Sequence, residues 1–255
     1  MKRLGLIGVG NFGLFAAGHL KSHFEIVAFD PHAKPATPSD GIRFVDLKTA
    51  ASQPFVLLAV PVQDMENVLE QIAPHVRPNA LVVDVCSVKE KPAALMEKIL
   101  PKTVQIIGTH PLFGPQSGKD GLLGLGIILC PVRAEKATVV KLKKFLAELG
   151  LHVIEMTPAQ HDEWMARTQA IAHLVGRAAK EMELPQAPFR LATYDALLAL
   201  RDLVKDDSDA LFDTIQNENP HAASQREKLR KKMDEIETHL IQADQNQKTS
   251  KQKKP

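Results

Sequence analysis

Leu4-Gly-Leu-Ile-Gly8-Val-Gly10-Asn11-Phe12-Gly13 stands at the head of the chain, and a second apolar run, Ile26-Val-Ala-Phe29, stops at Asp30. The order is a strand, a glycine turn, a helix and a second strand ending in a carboxylate. In that context Gly-x-Gly-x-x-Gly points to a dinucleotide. Gly8 permits the tight turn, Gly10 lets a pyrophosphate approach the backbone, and Gly13 lets the helix lie close to the strand. The first N–H groups of the helix, from Asn11 and Phe12 onward, face the anion, and the helix dipole favours its charge.

Asp30 selects between cofactors. A carboxylate at the end of the second strand accepts hydrogen bonds from ribose hydroxyls and repels a 2′-phosphate. NAD is therefore expected, with NADP as the alternative because Lys34 stands nearby. The competing reading of Asp30 is a turn residue before Pro31. Val60 and Pro61, which close the apolar run 55–60, complete the candidate cofactor set.

The chain has 255 residues, 44% hydrophobic and 24% charged, which suits a folded core and argues against global disorder. No apolar run reaches the roughly 20 residues of a membrane span, and no secretory signal is visible, so no membrane role is expected. Cys86 and Cys130 lack metal-ligand spacing and read as reduced thiols of a cytoplasmic protein. The histidines show no ligand spacing either, and no metal is expected. Net charge is +2, but residues 242–255 carry four lysines and one Asp, which leaves −1 for the remainder. A near-neutral body argues against a nucleic-acid surface. The Gln/Lys-rich tail reads as disordered.

Strand and helix patterns alternate through residues 1–156. Strands are expected near 2–7, 25–30, 55–60, 80–85, 104–109, 126–130 and 152–155, with helices near 12–21, 63–73, 89–100 and 135–149. Near-continuous runs such as Val56-Leu-Leu-Ala-Val60 suit strands covered on both faces. This is a doubly wound α/β domain of Rossmann type. Thr157-Pro158-Ala159-Gln160 then reads as a helix start, and the pattern continues unbroken to about residue 182. Further helices are expected over 189–203, 208–216 and 220–242, with Ser208 as a cap. The division is a dinucleotide-binding domain (1–156), an all-helical substrate and dimerisation domain (157–241) and the tail (242–255).

Ser87, in Asp84-Val-Cys-Ser-Val-Lys89, and His110, in Thr109-His-Pro-Leu-Phe-Gly-Pro115, follow neighbouring strand ends. Residues there line the crevice where an open α/β sheet binds ligands. A near-neutral imidazole can take the proton of a substrate hydroxyl while hydride leaves the same carbon. A neighbouring serine can hold the imidazole or the substrate oxygen. A lone histidine before proline is otherwise a turn residue.

These two stretches, followed by His161-Asp162, Gln169 and His173, resemble the prephenate/arogenate dehydrogenase family over about residues 1–180. The resemblance implies oxidative decarboxylation of a cyclohexadienol in tyrosine biosynthesis, giving 4-hydroxyphenylpyruvate or tyrosine, carbon dioxide and reduced nicotinamide. It implies His110 as the base, with Ser87 as its hydrogen-bonding partner. Gln169 and His173 would lie at the substrate, and Arg190 would grip a carboxylate. A homodimer through the helical domain is expected. Prephenate with NAD is the leading reading, on the strength of Arg190, and arogenate the alternative, because the stretches around Ser87 and Gly114 are plant-like. His161-Asp162 is expected to be helix-end and hinge structure, Trp164 to pack between domains, and Lys89, Arg167 and Arg177 to be fallback cations, with Lys89 otherwise structural or near the cofactor and the two arginines otherwise helix-surface charges. The length leaves no room for an added mutase or regulatory domain, so any tyrosine feedback is expected at the active site. The other classes are a hydroxyacid or pyrroline-carboxylate type reductase, which needs no Ser87/His110 pair, and a nucleotide sensor without turnover.

Overall fold

Short runs dense in Val, Ile and Leu form eight strands of a single sheet. The computed structural model describes residues 2–32 and 41–252, so Lys34 lies outside the described residues. The sheet is built from β1 (Lys2–Ile7), β2 (Phe24–Phe29), β3 (Ile42–Phe44), β4 (Phe55–Leu58), β5 (Leu81–Asp84), β6 (Gln105–Pro111), β7 (Gly126–Arg133) and β8 (His152–Glu155). Its order is β3-β2-β1-β4-β5-β6-β7-β8. The first six positions form the doubly wound 3-2-1-4-5-6 arrangement of the Rossmann fold, with the chain reversing direction across the sheet between β1 and β4. All pairs are parallel except β6 with β7, which run antiparallel.

Successive side chains on each strand point to opposite faces, and both faces are covered. Ile7, Leu58, Val82 and Ile106 pack against Leu69 and Ile72 of α3 (Met65–Ile72) and Met96 of α4 (Glu90–Ile99). Their neighbours Leu6 and Leu57 face Ala17 of α1 (Asn11–Leu20), and Ile107 and Leu129 face Leu146 of α5 (Lys136–Glu148). Each such side chain contributes about 1.5–3 kcal/mol by leaving water. Between β3 and β4 a short α2 (Leu47–Ala51) is capped by Asp46, which accepts from Thr49 N at 2.6 Å. The sequence pattern misses both β3 and α2, because elements this short carry too few residues for a period to register.

Among the described residues no strand follows β8. Thr157 caps α6 (Pro158–Met165) through the expected capping box: Gln160 N donates to Thr157 Oγ1 at 3.2 Å, and Gln160 Oε1 accepts from Thr157 N at 3.0 Å. The helix does not run on uniformly. A π-helical segment, Ala166–Ala170, intervenes before α7 (Ile171–Glu181). Next come α8 (Ala192–Val204), α9 (Asp209–Asp213) with its Ser208 cap, a second π-helical segment (Thr214–Glu218) and α10 (Ala222–Gln252). α10 departs from expectation, because it continues through Gln252 where composition suggested loss of order from residue 242. A 2.7 Å ion pair between Lys248 and Asp244, one turn apart, accompanies that extension. Trp164 does not pack between two bodies; it is 57% exposed.

Candidate active site

The glycine turn closes as the motif requires. Gly8 has φ +93°, and its N–H donates to Phe29 O at 2.9 Å, which ties the turn to the end of β2. A Cβ on Gly13 would lie 2.2 Å from Gly8 O, and one on Gly8 would meet Ala59 O at 2.4 Å and Val60 Cγ1 at 3.0 Å. The turn, α1 and the segment after β4 are therefore in contact. A Cβ on Gly10 would meet nothing within 4 Å, so the open space lies where a pyrophosphate must approach. Gly10 offers no side-chain cap to α1 and no acidic residue stands in the first turn, so those N–H groups remain free for an anion. These residues fit a dinucleotide.

Asp30 closes a turn at the end of β2. Its Oδ2 accepts from Val9 N at 2.7 Å and its Oδ1 from His32 N at 2.8 Å, the second bond forming a turn before residue 33. Each carboxylate oxygen retains a further lone pair for a ribose hydroxyl. Val60 lies at the glycine turn, with exposed Pro61 next to it.

His110 sits at the C-terminal end of β6, buried, opposite Ile128 of β7. Ser87 follows the adjacent β5, so the two strand ends are neighbours as expected. Their expected hydrogen bond is absent. His110 Nδ1 instead contacts His161 Nε2 at 2.8 Å, and His161 Nδ1 contacts Asp162 Oδ1 at 2.7 Å. The carboxylate fixes the tautomers. An ionised Asp162 only accepts, so His161 carries its proton on Nδ1 and offers the Nε2 lone pair to the Nδ1–H of His110. His110 Nε2 is left with a free lone pair. Asp162 is itself held by two backbone donors at the start of α4, Lys89 N at 2.7 Å and Glu90 N at 2.9 Å. Asn219 Nδ2 donates to Asp162 O at 2.8 Å from the C-terminal helices. His161-Asp162 stands in the first turn of α6, at the helix end as expected, and is also hydrogen-bonded to His110. Sequence alone offered only an adjacent His-Asp pair in a first helical turn, with its partner 51 residues away.

Burial is the main force holding the His110 imidazole well below the ordinary histidine value, reinforced by His161, Lys89 and His173. His161 is also lowered, chiefly by burial, and its bond to Asp162 opposes that shift. Lys89 is structural: it is fully buried, paired with Asp84, and donates to Thr109 O at 2.7 Å. That pairing clamps the ends of β5 and β6 on which Ser87 and His110 stand. Burial pushes the Cys130 thiol up to about 12 and the Cys86 thiol higher, so neither is a nucleophile. No cluster suited to a metal ion occurs among the described residues.

His173 lies close enough to disfavour charge on His110, and its Nδ1 is 3.0 Å from Asp207 Oδ2 without hydrogen-bond alignment. Gln169, in the first π-helical segment, has a buried Oε1 with no partner. Arg190 is not gathered in. Its side chain is 92% exposed and its Nε donates to Asp195 Oδ2 at 2.9 Å, a local pair at the start of α8. Arg167 likewise pairs on the surface with Glu163.

Residues 39–155 match the family model described as prephenate dehydrogenase, nucleotide-binding domain, and residues 178–253 match the TYRAAT1-like, C-terminal domain. Chloroplastic arogenate dehydrogenase 2 of Arabidopsis thaliana is 32% identical over 250 residues, covering 94% of this chain and 70% of its own length. A probable arogenate/prephenate dehydrogenase of Methanocaldococcus jannaschii is 31% identical over 191 residues, 71% of this chain and 42% of that protein. Among solved structures, prephenate dehydrogenase from A. aeolicus in complex with hydroxyphenyl propionate and NAD+ superimposes with a TM-score of 0.74 at 21% identity, covering 99% of this chain and 95% of that one. Synechocystis arogenate dehydrogenase gives 0.69 at 23% identity, with 95% and 93% covered. A glycine turn shaped for a dinucleotide, an imidazole relay at the neighbouring strand ends and these likenesses agree, and the chain belongs to the prephenate/arogenate dehydrogenase family.

Proposed function

We propose that the protein oxidises and decarboxylates a cyclohexadienol of the prephenate/arogenate type, with His110 Nε2 as the base. The observation that carries this reading is the Asp162–His161–His110 chain, which leaves one neutral, oriented lone pair at the C-terminal edge of the sheet. Gly8, Gly10, Asn11, Phe12, Gly13, Asp30, Val60 and Pro61 would hold the nicotinamide dinucleotide, which when bound supplies the hydride acceptor. The carboxylate of Asp30 favours NAD over NADP. His110 takes the hydroxyl proton as the C–H bond at the same carbon breaks. Loss of the ring carboxylate as carbon dioxide then restores aromaticity, so the protein chiefly aligns the reactants and removes one proton. Ser87, at the adjacent strand end, is left to bind the substrate oxygen, with Gln169 and His173 alongside.

Of the two substrates, arogenate fits better. The preference for prephenate rested on Arg190, which stands in solvent. Beside His173 stands the Asp207 carboxylate, whose Oδ2 lies 3.0 Å from His173 Nδ1 without hydrogen-bond alignment. An anion there disfavours a dianion and complements a substrate ammonium group. Initial rates of nicotinamide reduction with arogenate and prephenate, each against NAD and NADP, test this. Arogenate with NAD is expected to give the highest kcat/KM. A higher value for prephenate would reverse the substrate choice, and no turnover by folded, NAD-binding protein would remove the dehydrogenase reading.

The helices after residue 156 are assigned to substrate binding and homodimerisation. Exposed Met233, Ile236 and Leu240 on α10 and Phe189 and Leu191 before α8 support this, as apolar surface of this kind suits a second subunit. Sedimentation showing a monomer at micromolar concentration would contradict it.

A further inference from the structure

Two wide turns face each other in the helical half. The chain passes from α6 to α7 through the π-helical segment Ala166–Ala170, and from α9 toward α10 through Thr214–Glu218. Ala166 and Ala170 of the first pack with Ile215 of the second and Ala222 of α10 in one buried cluster. A π-turn shifts the ladder from i+4 to i+5, and buried carbonyls at its edges need donors. Side chains supply them. Thr168 Oγ1 donates back to Trp164 O at 2.7 Å, and Gln216 Nε2 reaches from the second wide turn to Ala170 O, also at 2.7 Å. Gln216 is buried and gripped by Arg226, whose Nη1 donates to its backbone carbonyl and to its Oε1. Asn219, in the same stretch, donates to Asp162 O at 2.8 Å, so the first helix is held on both sides of its wide turn.

That turn decides where α7 points its side chains. Each α-helical residue advances about 100° around the axis. Over the interval from His161 to His173, an uninterrupted helix would leave the two rings about 120° apart. The extra residue taken up by the π-turn shortens the effective interval by one, which closes the angle to about 20°. The two histidines meet the same neighbour accordingly. His161 Nε2 contacts His110 Nδ1 at 2.8 Å, and His173 lies close enough to disfavour charge on His110. A helix without the turn would carry His173 away from the base.

Building on the reading of the site as a cyclohexadienol dehydrogenase, we infer that Gln216 is a positioning residue for substrate binding: its amide braces the wide turn, and the wide turn sets His173 on the same side of the helix as His161. The bond of Gln216 ends on Ala170 O, so its effect runs through the helix backbone. His161 and Asp162 precede the turn. Gln216 therefore governs how substrate is held and not how the proton is taken.

The test starts with Gln216→Met, which keeps the length of the side chain and removes the donor. KM for arogenate is expected to rise on the order of 10-fold, the worth of one lost hydrogen bond, with kcat changed much less. The acid limb of kcat/KM and the affinity for NAD should stay at wild-type values. A second change separates bracing from general stability. Deleting Arg167, an exposed residue of the wide turn, in the Gln216→Met background removes the extra residue, so a plain α-helix then brings His173 to the same side. KM is expected to return to within about 3-fold of wild type. Gln216→Glu, which keeps the acceptor for Arg226 and loses the donor, serves if the Met variant fails to fold, and should raise KM likewise. A wild-type KM in the variants at 216 overturns the inference and leaves the dehydrogenase reading intact. So does a loss that falls on kcat, KM and NAD affinity together and is not reversed by the deletion. A wild type that turns over neither arogenate nor prephenate overturns both.

Discussion

His110, the proposed base, has its charged form penalised by burial, by His161, by buried Lys89 and by His173, so it stays neutral at acidities that would protonate a free imidazole. The acid limb of kcat/KM is therefore expected below the ordinary histidine value of 6.5. A limb at or above that value would show that His110 is not the titrating base. His161 acts through His110, as a positioning residue. Replacing it by Ala strands the Nδ1–H of His110 and frees the ring to turn, which should lower kcat about 10- to 100-fold, the range for a lost orienting partner. The KM for NAD should be unchanged, which steady-state kinetics reads directly. The histidine at a strand end was legible from sequence. Its true partner was not, because the eye goes to the serine on the adjacent strand while the bond runs to a helix 51 residues on.

At the scale of elements, the pieces that repeat most regularly were the easiest to foresee. β1 and β8 match their expected bounds, and the Thr157 capping box forms. Thr157→Ala is expected to cost about 1 kcal/mol, measured as a lower midpoint in urea at unchanged slope. The π-helical segment at Ala166–Ala170 could not be seen, since its residues, Ala-Arg-Thr-Gln-Ala, are ordinary helix formers and only the packing of α10 and the second π-helical segment reveals the widened turn. The glycine turn makes a sharper prediction. Gly13→Ala places a methyl against Gly8 O, so α1 must lift from β1 and its free N–H groups must move. NAD affinity should fall at least 10-fold in a fluorescence titration, while a substitution at Gly10, where a Cβ meets open space, should spare the fold and still weaken NAD.

Across the whole molecule, the buried imidazoles link stability to pH. His110 and His161 both have folded values below those of the unfolded chain. The unfolded state therefore binds more protons as pH falls through about 6.5, and the stability present above that pH is lost below it. Urea midpoints should rise between about pH 5 and pH 7, and His110→Asn should flatten part of that rise. The fold class was legible because every strand but the three-residue β3 carries its own pattern. The helical half resisted, because the contacts of His161 with His110 and of His173 with Asp207 join residues far apart in the chain that no short motif unites. Arg190, expected at a substrate carboxylate, is exposed in this chain and pairs with Asp195. The central claim is that His110 takes the substrate proton, and the direct measurement is the rate of NAD reduction with arogenate by the wild type and by His110→Asn. The account predicts a loss of about 10²- to 10⁴-fold in kcat with NAD affinity kept. A variant that retains wild-type turnover would contradict it.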